Sequence, residues 1–131
     1  MAETLRVLRS YADAWARGDV VALAALYADD FTLHYPGAHP LAGVHRGKAA
    51  SLRALGEVAR RVTRRLAEVV DVMAGERRGA IQVVEEWSRD GEVVLLDRLL
   101  VYAVRDELLA ECWLFDADAA AVAHLLRDPV R

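Results

Sequence analysis

The dipeptide Asp90-Gly91 constrains this chain more than any other feature. It lies between two apolar-rich segments, residues 79–89 and 92–105. An Asp-Gly pair so placed is a strong signal for a two-residue hairpin loop. Such a loop fixes register: Trp87 faces Val94, Glu85 faces Leu96 and Val83 faces Arg98. Side chains alternate across a strand. One face therefore carries Val83, Glu85, Trp87, Val94, Leu96, Arg98, Leu100, Tyr102 and Val104, and the other carries Gln82, Val84, Glu86, Leu95, Asp97, Leu99, Val101 and Ala103. Both faces are largely apolar. A sheet covered by helices on one side should turn a polar face to water, so the second apolar face predicts a subunit interface and a homodimer.

The remaining segments show which elements flank this hairpin. Leu5, Leu8, Ala12 and Trp15 recur at helical spacing over residues 4–17, with Thr4 placed to cap the start and Gly18 to stop it. Asp19 can cap a second helix over 20–28. A short strand over 31–35 runs into Pro36, and helical period returns over 48–62. The pattern then changes to strands at 66–74, 79–89, 92–105 and 108–116, closed by a helix that Asp116 or Asp118 caps. This order predicts one α+β domain over 1–131, a curved antiparallel sheet with helices packed on one face. The stretch from His34 to Gly47 is dense in Pro, Gly and His. It reads as a strand end, a corner and a short return segment.

Composition narrows the function classes. A net charge of −3 and a pI near 5.8 argue against a nucleic-acid binder. Lys48 is the only lysine among the 17 basic residues. That skew reads as coding bias, so arginine abundance is not taken as phosphate recognition. No run of about 18 apolar residues is present, which predicts no membrane span. The charged N-terminus lacks a signal-peptide pattern, and the expected location is cytoplasmic. Cys112 is the only cysteine, so no intrachain disulfide can form.

Several segments in order resemble one family. Tyr11 to Asp19 reads YADAWARGD, Leu26 to Phe31 reads LYADDF, and Ala110 to Phe115 reads AECWLF, with the Pro-Gly and Leu-Ala-Gly segment between the last two. The set is similar to the SnoaL-like group of the nuclear transport factor 2-like superfamily over nearly the whole chain. The resemblance implies a cone, a curved sheet wrapped around a pocket with helices on its concave side. The family's enzymes include steroid isomerases, dehydratases, epoxide hydrolases and polyketide cyclases. Against the ketosteroid isomerases, Tyr11 matches the oxyanion-binding Tyr, Tyr35 stands where the Asp base would be, and Leu100 falls near the second acid. Two of three functional groups are thus replaced, and steroid isomerase activity is not expected. One further departure is Asp106-Glu107, where such proteins often place Asp-Gly before the final strand.

By the family register Glu85 and Arg98 point into the cone. A buried carboxylate and guanidinium need each other, water or a ligand. Glu85 reads either as a general acid/base with Arg98 as its partner or as half of a structural ion pair. Tyr11, Tyr35 and Tyr102 can each offer a hydroxyl to a substrate oxygen or simply fill the core. Trp15, Trp87, Leu100 and Cys112 are candidate cavity lining, and His34 and His39 candidate groups at its mouth. The histidine spacings match no metal site, so no metal and no cofactor are expected. The four arginines Arg60, Arg61, Arg64 and Arg65 read as a solvated basic helix end. The leading expectation is a cofactor-independent acid/base enzyme acting on a hydrophobic small molecule. The alternatives are a non-catalytic small-molecule-binding protein and a dimeric interaction module.

Overall fold

The structure is a computed structural model that describes residues 1–130. Its elements run α1 (Ala2–Arg17), α2 (Val20–Ala25), β1 (Tyr27–Tyr35), β2 (Gly43–Arg46), α3 (Lys48–Arg61), β3 (Thr63–Ala74), β4 (Arg78–Arg89), β5 (Glu92–Arg105), β6 (Leu108–Asp116) and α4 (Ala119–Leu125). The six strands form one sheet in the order β2-β1-β6-β5-β4-β3. Every pairing is antiparallel except β1 with β6, which is parallel. Register breaks in the β3–β4, β5–β6 and β1–β6 ladders supply the local kinks by which a sheet bends into a cone.

The Asp90-Gly91 hairpin is as tight as its sequence requires. Both residues have positive φ, 52° and 85°, and the ladder pairs Arg89 with Glu92, Trp87 with Val94, Glu85 with Leu96 and Val83 with Arg98. β5 also pairs with β6 along most of its length. The turn between those two strands uses Asp106 and Glu107, which hold positive φ without the help of glycine. Such a conformation is unfavourable for an L-residue, and tertiary contacts hold it. The Glu107 amide donates to Glu3 on α1, and its carboxylate takes a two-point bond from Arg6 at 2.6 and 2.8 Å.

Three local expectations change in the structure. Thr4 is not a cap: α1 begins earlier, and the Thr4 hydroxyl donates 2.8 Å to the Glu76 carbonyl in the β3–β4 turn. The second helix is only six residues long, because Tyr27 already joins β1. Arg64 belongs to β3 rather than to a helix end. Sheet pairing of Tyr27 with Leu109 and of Arg64 with Trp87 overrides the helical period of the flanking sequence.

Helix α1 packs on β3 and β4, and α3 packs on β1 and β2. Gly79 permits the first contact, since a Cβ there would meet the Met73 carbonyl at 2.4 Å and Leu8 Cδ1 at 2.5 Å. The inner face of β4 and β5 is buried at Val83, Glu85, Trp87, Leu96, Arg98, Leu100, Tyr102 and Val104, with Val94 half-buried. The outer face leaves Val93, Leu95 and Phe115 exposed, with Val84, Leu99 and Val101 half-buried. Among the described residues no helix is long and apolar enough to cross a membrane.

Candidate functional site

A cavity of about 510 Å³ lies between the helices and the concave face of the sheet. This is the size range of small-molecule sites. Its walls are mostly apolar: Leu23 on α2, Phe31 and Leu33 on β1, Leu52 and Leu55 on α3, and Leu100 and Leu114 on the sheet. Exposed Val20 also lines it, so the cavity reaches the surface beside α2. Gly56 lines it from the middle of α3, where an added Cβ would meet nothing closer than an Arg60 nitrogen at 3.8 Å. Glycine inside a helix costs about 1 kcal/mol relative to alanine, and here it leaves the wall open.

The polar groups fall into two sets. The first is a chain of ion pairs at the floor. Arg64 donates through Nε and Nη2 to the two Glu85 oxygens at 2.8 and 2.9 Å. Trp87 Nε1 donates to Glu85 at 2.9 Å, and Arg98 Nη1 donates to it at 3.0 Å. Arg98 continues to Asp116 at 2.6 Å and to the Tyr35 hydroxyl at 2.9 Å. Glu85 and Arg98 are almost wholly buried, whereas the Arg64 side chain keeps 25% exposure. Burial alone would raise the Glu85 pKa, but the charge and hydrogen bonds of Arg64, then Arg98 and Trp87, outweigh it and hold the carboxyl at about 2. Burial would likewise lower Arg98, and its anionic and phenolic neighbours hold it protonated instead.

The second set is a cluster of neutral hydroxyls. The Tyr11 and Tyr27 hydroxyls are hydrogen-bonded to each other, and the Tyr102 ring packs beside Tyr11. The Tyr11 ring centroid lies 5.7 Å from that of Tyr27 and 5.4 Å from that of Tyr102. Burial raises all three tyrosines above their ordinary value and pushes Cys112 up to about 12. At neutral pH these groups are uncharged.

The candidate residues divide accordingly. Glu85, Tyr11, Trp15, Leu100, Tyr102 and Cys112 line the cavity. Arg98, Tyr35 and Trp87 do not: they lie behind Glu85, with the Arg98 guanidinium 4.7 Å from the Trp87 ring centre. His34 projects from the opposite face of β1, where it meets Glu111 at 2.5 Å and stacks on Trp113. His39 sits in the β1–β2 connection with its edge on the Tyr35 ring. Its Nδ1 accepts from the Leu41 amide, its Nε2 has no partner, and burial lowers its pKa. Among the described residues no group of His, Cys, Asp and Glu has a metal-holding arrangement.

Sequence reasoning missed Arg64, Asp116 and Tyr27. Strand parity could have found Arg64, since extending β3 back to Thr63 puts Arg64 beside Trp87 on the inner face. Asp116 opposes Arg98 across β5–β6, a pairing readable only once the length of the Asp106-Glu107 turn is known.

Residues 8–112 match the sequence profile of the SnoaL-like domain, and the chain belongs to that family. No curated protein matches it by sequence. Among solved structures, a Xanthomonas campestris protein of unknown function with a cystatin-like fold is 25% identical, with 95% of this chain and 98% of that one covered and a TM-score of 0.89. An NTF2-like protein from Burkholderia xenovorans is also 25% identical, covering 93% and 95% of the two chains with a TM-score of 0.76. TerC, co-crystallised with polyporic acid, shares the fold at 17% identity, with 95% and 98% covered and a TM-score of 0.81.

Proposed function

We propose that this protein binds a hydrophobic small molecule in the cavity. The observation that carries this reading is the cavity itself, about 510 Å³ of mainly apolar wall with polar groups confined to the Arg64–Glu85 floor and the tyrosine cluster. That pattern suits an apolar skeleton bearing one or two oxygens. Binding is favoured over proton transfer because Glu85 sits at about 2 and Cys112 at about 12, with the tyrosines above their ordinary value. A general acid or base works best with a pKa near the operating pH. A panel of hydrophobic ligands tested by thermal shift and equilibrium dialysis checks the reading. Saturable one-to-one binding that Leu100→Trp abolishes supports it, and no binding across aromatic ketones, phenols and polycyclic hydrocarbons overturns it.

One observation favours a second, catalytic reading of the cyclase, isomerase, dehydratase or epoxide hydrolase type. Arg64 is the strongest influence lowering Glu85 and is its only partner with appreciable exposure. A substrate that draws Arg64 aside would leave Glu85 a stronger base in a cavity that Tyr11 also lines. In that case Glu85→Gln removes turnover but keeps ligand affinity.

The exposed Val93, Leu95 and Phe115 of the outer sheet face fit a second copy of this chain, since apolar patches of this kind mark interfaces. Sedimentation of Leu95→Lys should then show monomer where the parent chain shows dimer, and a monomeric parent at micromolar concentration would sink the idea.

A further inference from the structure

Resting on the binding reading above, we propose that Arg64 is the residue that anchors the ligand, selecting apolar molecules that carry an acceptor oxygen such as a ketone carbonyl. Two kinds of donor face the cavity, and they differ in what they have left to give. The Tyr11 and Tyr27 hydroxyls bond to each other, and each tyrosine, Tyr102 included, carries a single neutral O–H. Arg64 spends Nε and Nη2 on Glu85, and among the described residues its Nη1 makes no protein hydrogen bond. A guanidinium carries five N–H donors, so this group retains free N–H while lining the cavity.

Its position is also built in advance. The two-point bond to Glu85 sets the plane of the guanidinium. Glu85 is in turn held by Trp87 and Arg98, and Arg98 by Asp116 and Tyr35. Glu85 and Arg98 therefore act as positioning residues, and Asp116 anchors the far end of the chain. A donor fixed in this way loses little freedom when a ligand binds. Glu85 already balances the Arg64 charge, so the remaining N–H groups suit a neutral carbonyl without demanding a second anion. A hydrogen bond to a charged donor in such a place changes affinity by about tenfold or more.

A matched pair of ligands tests the assignment: 2-acetylnaphthalene, which has a ketone oxygen, and 2-ethylnaphthalene, which lacks it. Equilibrium dialysis of the intact protein should show Arg64→Met weakening the ketone about tenfold while leaving the hydrocarbon within about twofold. Tyr11→Phe should move neither by more than about twofold. The 13C carbonyl resonance of bound 2-acetylnaphthalene should lie downfield of its position in a hydrocarbon solvent, and Arg64→Met should reverse that shift. If the Met variant does not fold, Arg64→Lys should produce the same split in smaller measure. A ketone loss in Tyr11→Phe and none at Arg64 overturns the assignment while leaving the cavity reading intact. So does a bound carbonyl resonance at its hydrocarbon position. Failure of the parent protein to bind either molecule overturns the assignment, and failure across the wider ligand panel overturns the cavity reading as well.

Discussion

The cavity has two polar regions, buried to similar depth and built on opposite principles. The floor is ionic: Glu85 and Arg98 are nearly sealed from water and joined to Arg64 and Asp116 in a chain of alternating charge. The wall of Tyr11, Tyr27 and Tyr102 is neutral, with Tyr11 and Tyr27 joined hydroxyl to hydroxyl. Burial pushes the tyrosines up, and nothing charged pulls them back far enough. Burial also pushes Glu85 up, but two guanidinium groups and an indole N–H reverse the direction. The same desolvation thus yields opposite outcomes, decided by whether an opposite charge is within reach.

The largest expected contrast is in stability. Removing one partner from a buried ion pair leaves the other uncompensated, at a cost of about 3–5 kcal/mol. Glu85→Leu should therefore lower unfolding free energy by that amount in denaturant titrations, and a loss below about 1 kcal/mol would break the contrast. Next comes pH. The Glu85 pKa is lowered from 4.5 to about 2 in the folded protein. Its contribution is therefore fully present above the unfolded value and lost as pH falls through about 2. The stability gap between the parent and Glu85→Gln should shrink over that window by roughly 3 kcal/mol, and an unchanged gap from pH 6 to pH 2 would refute the charge assignment. The smallest effect belongs to the wall. Tyr11→Phe removes one hydroxyl and leaves Tyr27 short of a partner, at a cost of about 1–2 kcal/mol. That cost should stay constant between pH 4 and pH 8, because burial keeps the tyrosines neutral there.

The two regions also differed in how much of them could be read in advance. The Asp90-Gly91 turn placed Glu85 and Arg98 on one face, the family resemblance turned that face inward, and the ladder has that register. The partners that change their chemistry were not placed. Arg64 was read with Arg60, Arg61 and Arg65 as a helix end, because a run of arginines after a helical period carries no sign of where the helix stops. Only pairing with β4 turns Arg64 inward. Tyr11 was singled out by its resemblance to the oxyanion-binding Tyr of the ketosteroid isomerases, but its contacts with Tyr27 and Tyr102 join residues from α1, β1 and β5. Trp87, Tyr35 and Arg98 were grouped with the cavity, and the structure puts them one layer behind it.

By itself the sequence determined what depends on neighbours along the chain: the tight turn at Asp90-Gly91, the inner and outer parity of β4 and β5, the extents of β5 and β6, and membership of an α+β family. These follow from local backbone preference and a side-chain period of two, which need no knowledge of distant segments. The tertiary structure alone decided that Glu85 is shared by two arginines, that Arg64 joins it at the cavity wall, and that α2 leaves an opening. Those outcomes depend on which strands come side by side and on how burial trades against charge across them. Both are properties of contacts between residues far apart in the chain.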